Sequence, residues 1–201
     1  MLPNTGVQRW ALGSAEGAPP AVATDDALLR RLQAGDATAL EALSQLHGAA
    51  LFGYLLAITS DRSLAEEVLQ DTLLVVWRSA SGFRGSASVR TWLFAIARRQ
   101  ARDRSRRRRL PIAGDKERAA AVDPAPGPEQ RAMQRADLAD LVQAIKELPL
   151  LQREVLALIF VHQLTYEEAA QVLAVPLGTV KSRLSLARRA LHRRYQHGKE
   201  N

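Results

Sequence analysis

Apolar positions recur at spacings of three and four through most of the chain. No stretch keeps the two-residue alternation of a strand between turn signals, so the pattern predicts an all-α protein. A short helix carries Leu28, Leu29 and Leu32 behind Thr24 as N-cap, and Gly35 ends it. Asp36 caps a second helix running to about Thr59, with Leu40, Leu43, Leu46, Leu51, Leu55 and Ile58 on its apolar face. After a turn from Thr59 to Arg62, Ser63 is the expected cap of a third helix whose Leu64, Val68, Thr72, Val75 and Val76 face inward. A loop bracketed by Gly82 and Gly85 then leads to a fourth helix with Trp92, Leu93, Ile96 and Ala97 on one side.

Periodicity is lost from Leu110 to Gly127, where Pro, Gly and Ala accumulate. It resumes near Pro128, with Leu138, Leu141, Val142, Ile145 and Leu148 on one face, until Pro149 interrupts it. The expected architecture is therefore two small helical domains, 24–109 and 128–196, joined by a flexible linker at 110–127. A disordered lead-in at 1–23 and a tail at 197–201 flank them.

The end of the second domain has the pattern of a helix-turn-helix. Thr165 followed by Glu168 forms a capping box, with Leu164 placed as a hydrophobic staple, and a helix starts at about Tyr166. Pro176 closes that helix after Ala169, Ala170, Val172 and Leu173. In the helix beyond the turn, Val180, Leu184, Ala187 and Leu191 share the buried face. Gly178, Ser182, Ser185 and Arg189 point away from it, flanked by Lys181 and Arg188 on one side and Thr179 and Arg183 on the other. Small residues and hydroxyls let such a helix approach base edges, while Arg and Lys reach phosphates or guanine acceptors. The competing reading is a solvated basic face on an ordinary helical hairpin.

Charge strengthens the nucleic-acid reading. The 201 residues carry 28 Lys and Arg against 21 Asp and Glu, a formal net charge of +7 that favours a polyanionic partner. Eight arginines stand against one aspartate in the run RRQARDRSRRRR from Arg98 to Arg109. Such a block binds phosphates by counterion release, unless it is only a solvated helix end or a disordered arm. Phe83 and Trp92, just upstream, offer flat surfaces for unpaired bases, although Trp92 also fits a core position.

The third helix is acidic on its outer face, at Glu66, Glu67, Gln70 and Asp71. On charge alone the solvated reading of that face is favoured over docking to a basic partner. Cysteine is absent, which removes disulfides, thiolate metal sites and a cysteine nucleophile. No phosphate loop, metal-ligand spacing or nucleophile with a base is present, the four histidines are scattered, and His47 has no accompanying constellation; neither cofactor nor metal is expected. The longest apolar run, Val155 to Val161, is a core-helix segment too short for a bilayer, and the N-terminus does not read as a secretory signal. No membrane insertion is expected.

Two blocks together resemble a known family. SLAEEVLQDTLLVVWRSASGFRGSASVRTWLFAIARRQARDRSRRRR is similar to the second conserved region of bacterial RNA polymerase sigma factors of the small extracytoplasmic-function group, in the sigma-70 family. ELPLLQREVLALIFVHQLTYEEAAQVLAVPLGTVKSRLSLARRAL is similar to their fourth. The resemblance implies a non-catalytic promoter-specificity subunit, working in the cytoplasm at the nucleoid and serving a dedicated stress or envelope-response regulon. It implies that Glu66, Glu67, Gln70 and Asp71 dock on the clamp-helix coiled coil of core polymerase, reversing the solvated reading. It implies that Phe83, Arg84, Ser86, Arg90, Trp92, Arg98, Arg99 and Arg102 engage the melted promoter element near the start site, where an extruded base needs a pocket and a stacking platform. Thr179, Lys181, Ser182, Arg183, Ser185, Arg188 and Arg189 would read the upstream element as duplex, and an anti-sigma protein would wedge between the domains.

Four positions depart from the family pattern. Gln163 and Ala174 stand where glycine is common, each before a turn that favours a left-handed residue; Gln100 stands for asparagine and Leu186 for a basic residue. The rival to the family reading is an autonomous helix-turn-helix regulator, which would need a strand-rich receiver or ligand domain that this sequence lacks. An RNA-binding adaptor using the arginine block would leave the capped helix-turn-helix unexplained.

Overall fold

Helices in this chain begin where a side-chain oxygen can take up the first unpaired backbone N–H groups. A computed structural model describes residues 24–109 and 141–197. The lead-in with Trp10, the linker 110–127, the expected helix start near Pro128 and the residues after His197 lie outside the described residues. Thr24 accepts from the Ala27 N–H and starts α1 (Asp25–Gln33); Asp36 accepts from the Thr38 N–H at 2.9 Å and starts α2 (Ala37–Thr59). The third helix, α3 (Arg62–Ser79), is capped by Asp61 and not by Ser63. Asp61 has extended backbone, and its carboxylate accepts from the Leu64 N–H at 3.0 Å, so the helix starts earlier than the Ser63 pattern implied. A single 3-10 turn (Ala80–Gly82) and the loop lead into α4 (Val89–Arg109).

The second unit contains helical residues 141–147 (α5), then α6 (Leu150–Leu156), α7 (Tyr166–Leu173) and α8 (Leu177–His197). From Ala157 to Val161, α6 widens into a π-helical turn. That turn corrects the reading of Val155 to Val161 as core throughout: Val155 and Leu158 are fully buried, but Phe160 is 52% and Val161 70% exposed. Among the described residues there is no strand.

Tyr54, Leu43, Leu51 and Leu55 of α2 meet Val68 and Val76 of α3 and Leu93, Phe94 and Ala97 of α4, all buried. Leu46, expected on that apolar face, is instead 51% exposed. By length and composition α2 is apolar enough to cross a bilayer, although polar residues break its apolar runs. It packs against α1, α3, α4 and α6, as a core helix does. His47, expected to stand alone, is buried and bonded through Nε2 to Asp25 of α1 at 2.8 Å, so it ties α1 to α2. The two units are in contact, α4 lying on α7 and α2 on α6.

Among the described residues, three non-glycine positions hold left-handed backbone: Ser60 at φ 56°, Gln163 at 51° and Ala174 at 48°. The last two are the positions where glycine was expected. The turn of the helix-turn-helix thus keeps the shape glycine would give it, with local strain. The Ala174 methyl is exposed, so no packing offsets that strain. Relief of the left-handed penalty, about 1–2 kcal/mol, outweighs the added chain entropy of glycine, about 0.4–1 kcal/mol. Ala174→Gly is expected to stabilise the fold by about 0.5–1 kcal/mol on balance, read as a higher midpoint in urea denaturation with an unchanged slope.

Candidate nucleic-acid and polymerase interfaces

The capping box at the start of α7 is complete. Thr165 Oγ1 accepts from the Glu168 N–H at 3.1 Å, and Glu168 Oε2 accepts from the Thr165 N–H at 2.8 Å. Those bonds hold the Glu168 carboxyl below its usual range despite partial burial. Ala169, Val172 and Leu173 of α7 close on Val180, Leu184 and Ala187 of α8, which leaves the other face of α8 open. Lys181, Ser182, Ser185, Arg188 and Arg189 are exposed there; Thr179 and Arg183 are half-buried, and Arg183 Nη1 is shielded from solvent with no hydrogen-bond partner. Arg188 lies over the Phe160 ring at 5.3 Å, a cation–π contact that anchors the exposed π turn to α8. Leu186, in place of a basic residue, is 46% exposed on the same side.

In the first unit, Phe83 and Trp92 pack in a tilted pair, ring centroids 5.1 Å apart and planes at 57°, and both are half-buried. Trp92 packs against the core, as its alternative reading expected, and is only half-buried. Arg84, Ser86, Arg99 and Arg102 are exposed. The loop 83–89 also borders an open recess shared with Thr24, Asp25, Asp26 and Leu46.

Arg98 departs from the expected site. It is buried, and its guanidinium forks onto Glu154 of α6, Nε to Oε1 at 3.0 Å and Nη2 to Oε2 at 3.2 Å. Helical spacing explains the placement: Arg98 follows Leu93, Phe94 and Ala97 around the inward face of α4, so it points where they point. Arg90, half-buried, donates to the backbone carbonyl of His162. Of the eight residues predicted to engage the melted element, Arg90 and Arg98 turn toward the second unit, Arg102 lines the groove between the units, and the other five lie on the loop or on α4 with Phe83 and Trp92 in contact.

The acidic face of α3 is exposed at Glu66, Glu67 and Gln70 and half-buried at Asp71. It is also partly neutralised from within: Glu66 pairs with Arg62, while Arg104 of α4 reaches both Glu67 and Asp71. Leu74 and Trp77, 53% and 38% exposed, continue that face by one and two turns. Sequence reasoning passed over them; Leu74 lies three and four residues beyond Asp71 and Gln70, which was the available signal. It also missed Ser88, Thr91, Glu154, His162 and Glu168, which join the two units across long sequence separations. Arg153 adds a bond to the Ser60 hydroxyl at 2.7 Å. A groove of about 520 Å³ between the units is lined by Arg98, Arg102, Arg106 and Arg153 along with Ile58, Leu64, Leu150 and Leu151.

Residues 43–110 match the family described as sigma-70 region 2, and residues 138–191 match sigma-70, region 4. The chain is 37% identical over 165 residues to the ECF RNA polymerase sigma factor RpoE of Cereibacter sphaeroides, covering 81% of this chain and 87% of that protein. The chain belongs to the extracytoplasmic-function sigma factors of the sigma-70 family. This sigma factor is also 33% identical over 171 residues to the RNA polymerase sigma factor NccH of Alcaligenes xylosoxydans xylosoxydans, covering 83% and 92% of the two chains. Among solved structures it resembles the sigma factor RpoE of Bartonella quintana in complex with the anti-sigma factor NepR. The TM-score is 0.65 at 29% identity, over 78% of this chain and 96% of that one. It also resembles CnrH in complex with the cytosolic domain of CnrY, with a TM-score of 0.64 at 25% identity over 86% and 97%. As a sigma factor it is a promoter-specificity subunit of RNA polymerase, and such proteins are not normally catalytic.

His162 supplies a pH test of the contact between units. Its ring is 5% exposed, set against Tyr54 and Phe94 with centroids 6.0 and 4.9 Å away, and Nε2 has no partner. Burial and then the Arg90 charge lower its pKa from 6.5 to about 4. The neutral ring is required, so its contribution is full above pH 6.5 and is lost as pH falls from 6.5 toward 4. In that window His162→Gln is expected to flatten the decline of stability with acid, by at most about 1.4 kcal/mol per pH unit. Thermal melts of both proteins at matched pH values would show it.

Proposed function

We propose that the two units divide promoter recognition. Residues 24–109 dock on core polymerase and hold the melted element near the start site, and residues 128–196 read the upstream element as duplex. The observation that carries this reading is the pairing of two surfaces of different chemistry. An aromatic pair flanked by exposed arginines suits unpaired bases. A capped helix-turn-helix with an open face of hydroxyls and cations suits a groove. Neither surface holds a nucleophile with a base, which supports a role in binding and not in catalysis. The chain acts in the cytoplasm, where core polymerase and the nucleoid are found.

On the acidic face of α3, Glu66, Glu67, Gln70 and Asp71 lie within the two turns before exposed Leu74, an apolar anchor beside polar, solvated neighbours. A basic helical surface of core polymerase is the partner of that face. An anti-sigma protein is the expected inhibitor, as the solved relatives bound to NepR and CnrY suggest for this chain, and a stress or envelope-response regulon is the expected output.

The deciding experiment is runoff transcription with purified bacterial core polymerase and a genomic fragment library. Discrete new start sites that depend on this protein are expected, and sequence at those sites reveals both elements. If core polymerase neither binds the protein nor starts at new sites, the autonomous regulator becomes the better reading. With the same assay, Leu74→Ala combined with Asp71→Ala is expected to weaken core binding by at least about tenfold while leaving the melting temperature nearly unchanged, since truncating an anchor side chain costs more than about 1 kcal/mol. Replacing Arg106 to Arg109 with alanine is expected to flatten the salt dependence of DNA binding, by about 0.9 in logarithmic slope for each phosphate contact removed.

A further inference from the structure

The inward side of the strand-reading helix already has a ligand. Over three helical turns, from Ser88 to Arg98, α4 and its N-terminal loop direct four polar side chains into the second unit. The Arg98 guanidinium receives the two Glu154 oxygens, and Arg90 receives the His162 carbonyl. The Ser88 and Thr91 hydroxyls both donate to Glu168 Oε1, at 3.4 and 3.3 Å. Glu168 Oε2 meanwhile completes the capping box, so one carboxylate serves its own helix and the neighbouring unit together.

The three groups of the second unit to which these side chains donate are oxygen acceptors, and two of them are anionic. Phosphates and base edges present the same chemistry to a helix of this kind. The bidentate fork of an arginine on a carboxylate has the geometry of its fork on a phosphate. We propose that the second unit is an intramolecular stand-in for the melted promoter strand, with Glu154 and Glu168 taking the places of strand anions on α4. The inference rests on the assignment of α4 and its loop to single-stranded DNA.

An asymmetry follows from the exposures. Lys181, Ser182, Ser185, Arg188 and Arg189 face solvent while the units are clasped, so the duplex surface stays usable; on the strand surface Arg90 and Arg98 are engaged by the second unit, while Arg84, Ser86, Arg99 and Arg102 remain exposed. Split recognition on a linker would weaken both kinds of contact alike. In the clasped form the affinity for a single strand is reduced by the fraction of molecules that are open.

The chain has no cysteine, so a double variant, Ser60→Cys with Arg153→Cys, can be cross-linked at one place only. These two residues touch across the units and belong to neither proposed DNA surface. The full-length double variant would be closed with a short bis-maleimide containing a cleavable disulfide, and binding followed by anisotropy. The probes are a fluorescent random-sequence single-stranded oligonucleotide and a duplex of the same length. The closed protein is expected to bind the single strand at least about tenfold more weakly than the same sample after reductant, with duplex binding changed less than about twofold. Glu154→Gln is expected to shift single-strand binding the other way, again sparing the duplex. Equal single-strand binding before and after reductant overturns the clasp while leaving the strand-reading assignment standing. If neither released protein nor Glu154→Gln binds the single strand above the duplex, that assignment fails and takes the clasp with it.

Discussion

The Arg98–Glu154 pair is the constraint on which the arrangement of this molecule depends. Both side chains are almost entirely withdrawn from solvent, 7% and 2% exposed, and they come from helices 56 positions apart in the chain. Moving two charges out of water costs several kcal/mol each, and a buried pair repays that only when the geometry is good and the remaining donors are met. Here the fork is bidentate. Removing either partner would strand the other in the interior, at a cost of about 3–5 kcal/mol. The pair is thus a poor source of net stability but a strict requirement on register: α6 can sit on α2 and α4 only where Glu154 meets Arg98.

Around it, the contact between units is more polar than the core of either. Tyr54, Phe94 and His162 form an edge-on aromatic cluster beside the ion pair, yet the Tyr54 hydroxyl and His162 Nε2 are buried without partners. Burial, and next the Glu154 charge, push the Tyr54 hydroxyl well above its usual pKa, so it stays neutral. Unmet buried groups of this kind cost about 1–3 kcal/mol each, which offsets part of what the aromatic contacts contribute. An interface built in this way is specific without being strong.

The fold was largely legible because helix periodicity and caps are local. Asp36, Thr165 with Glu168, and the apolar series Val180, Leu184, Ala187 each signal their structure within a few residues. Even the strained turns at Gln163 and Ala174 were visible, as places where glycine was missing. The α3 cap was misread because Asp61 and Ser63 are both capping residues, and only the extended backbone at Asp61 decides between them. The burial of Arg98 was missed for a deeper reason. An arginine in a basic run carries no local mark of burial, and its partner Glu154 lies in another helix among leucines. A nonlocal charge pair cannot be found from periodicity; it takes the packing of α4 against α6 to reveal it.

Charge on α4 does more than one job, and Arg104 shows how the jobs interact. Arg104 faces α3, where it holds Glu67 and Asp71, although it belongs to the same arginine run as exposed Arg102 and Arg106. Being 38% exposed, it is screened by solvent, so its hold on the two carboxylates is worth on the order of 1 kcal/mol or less. A cationic surface arriving at α3 has only that small penalty to overcome. The guanidinium it displaces cannot leave; it remains on α4, adding one more cation to a helix already rich in them. On the proposed docking of core polymerase at that face, the freed guanidinium would keep its charge on a helix already rich in arginine.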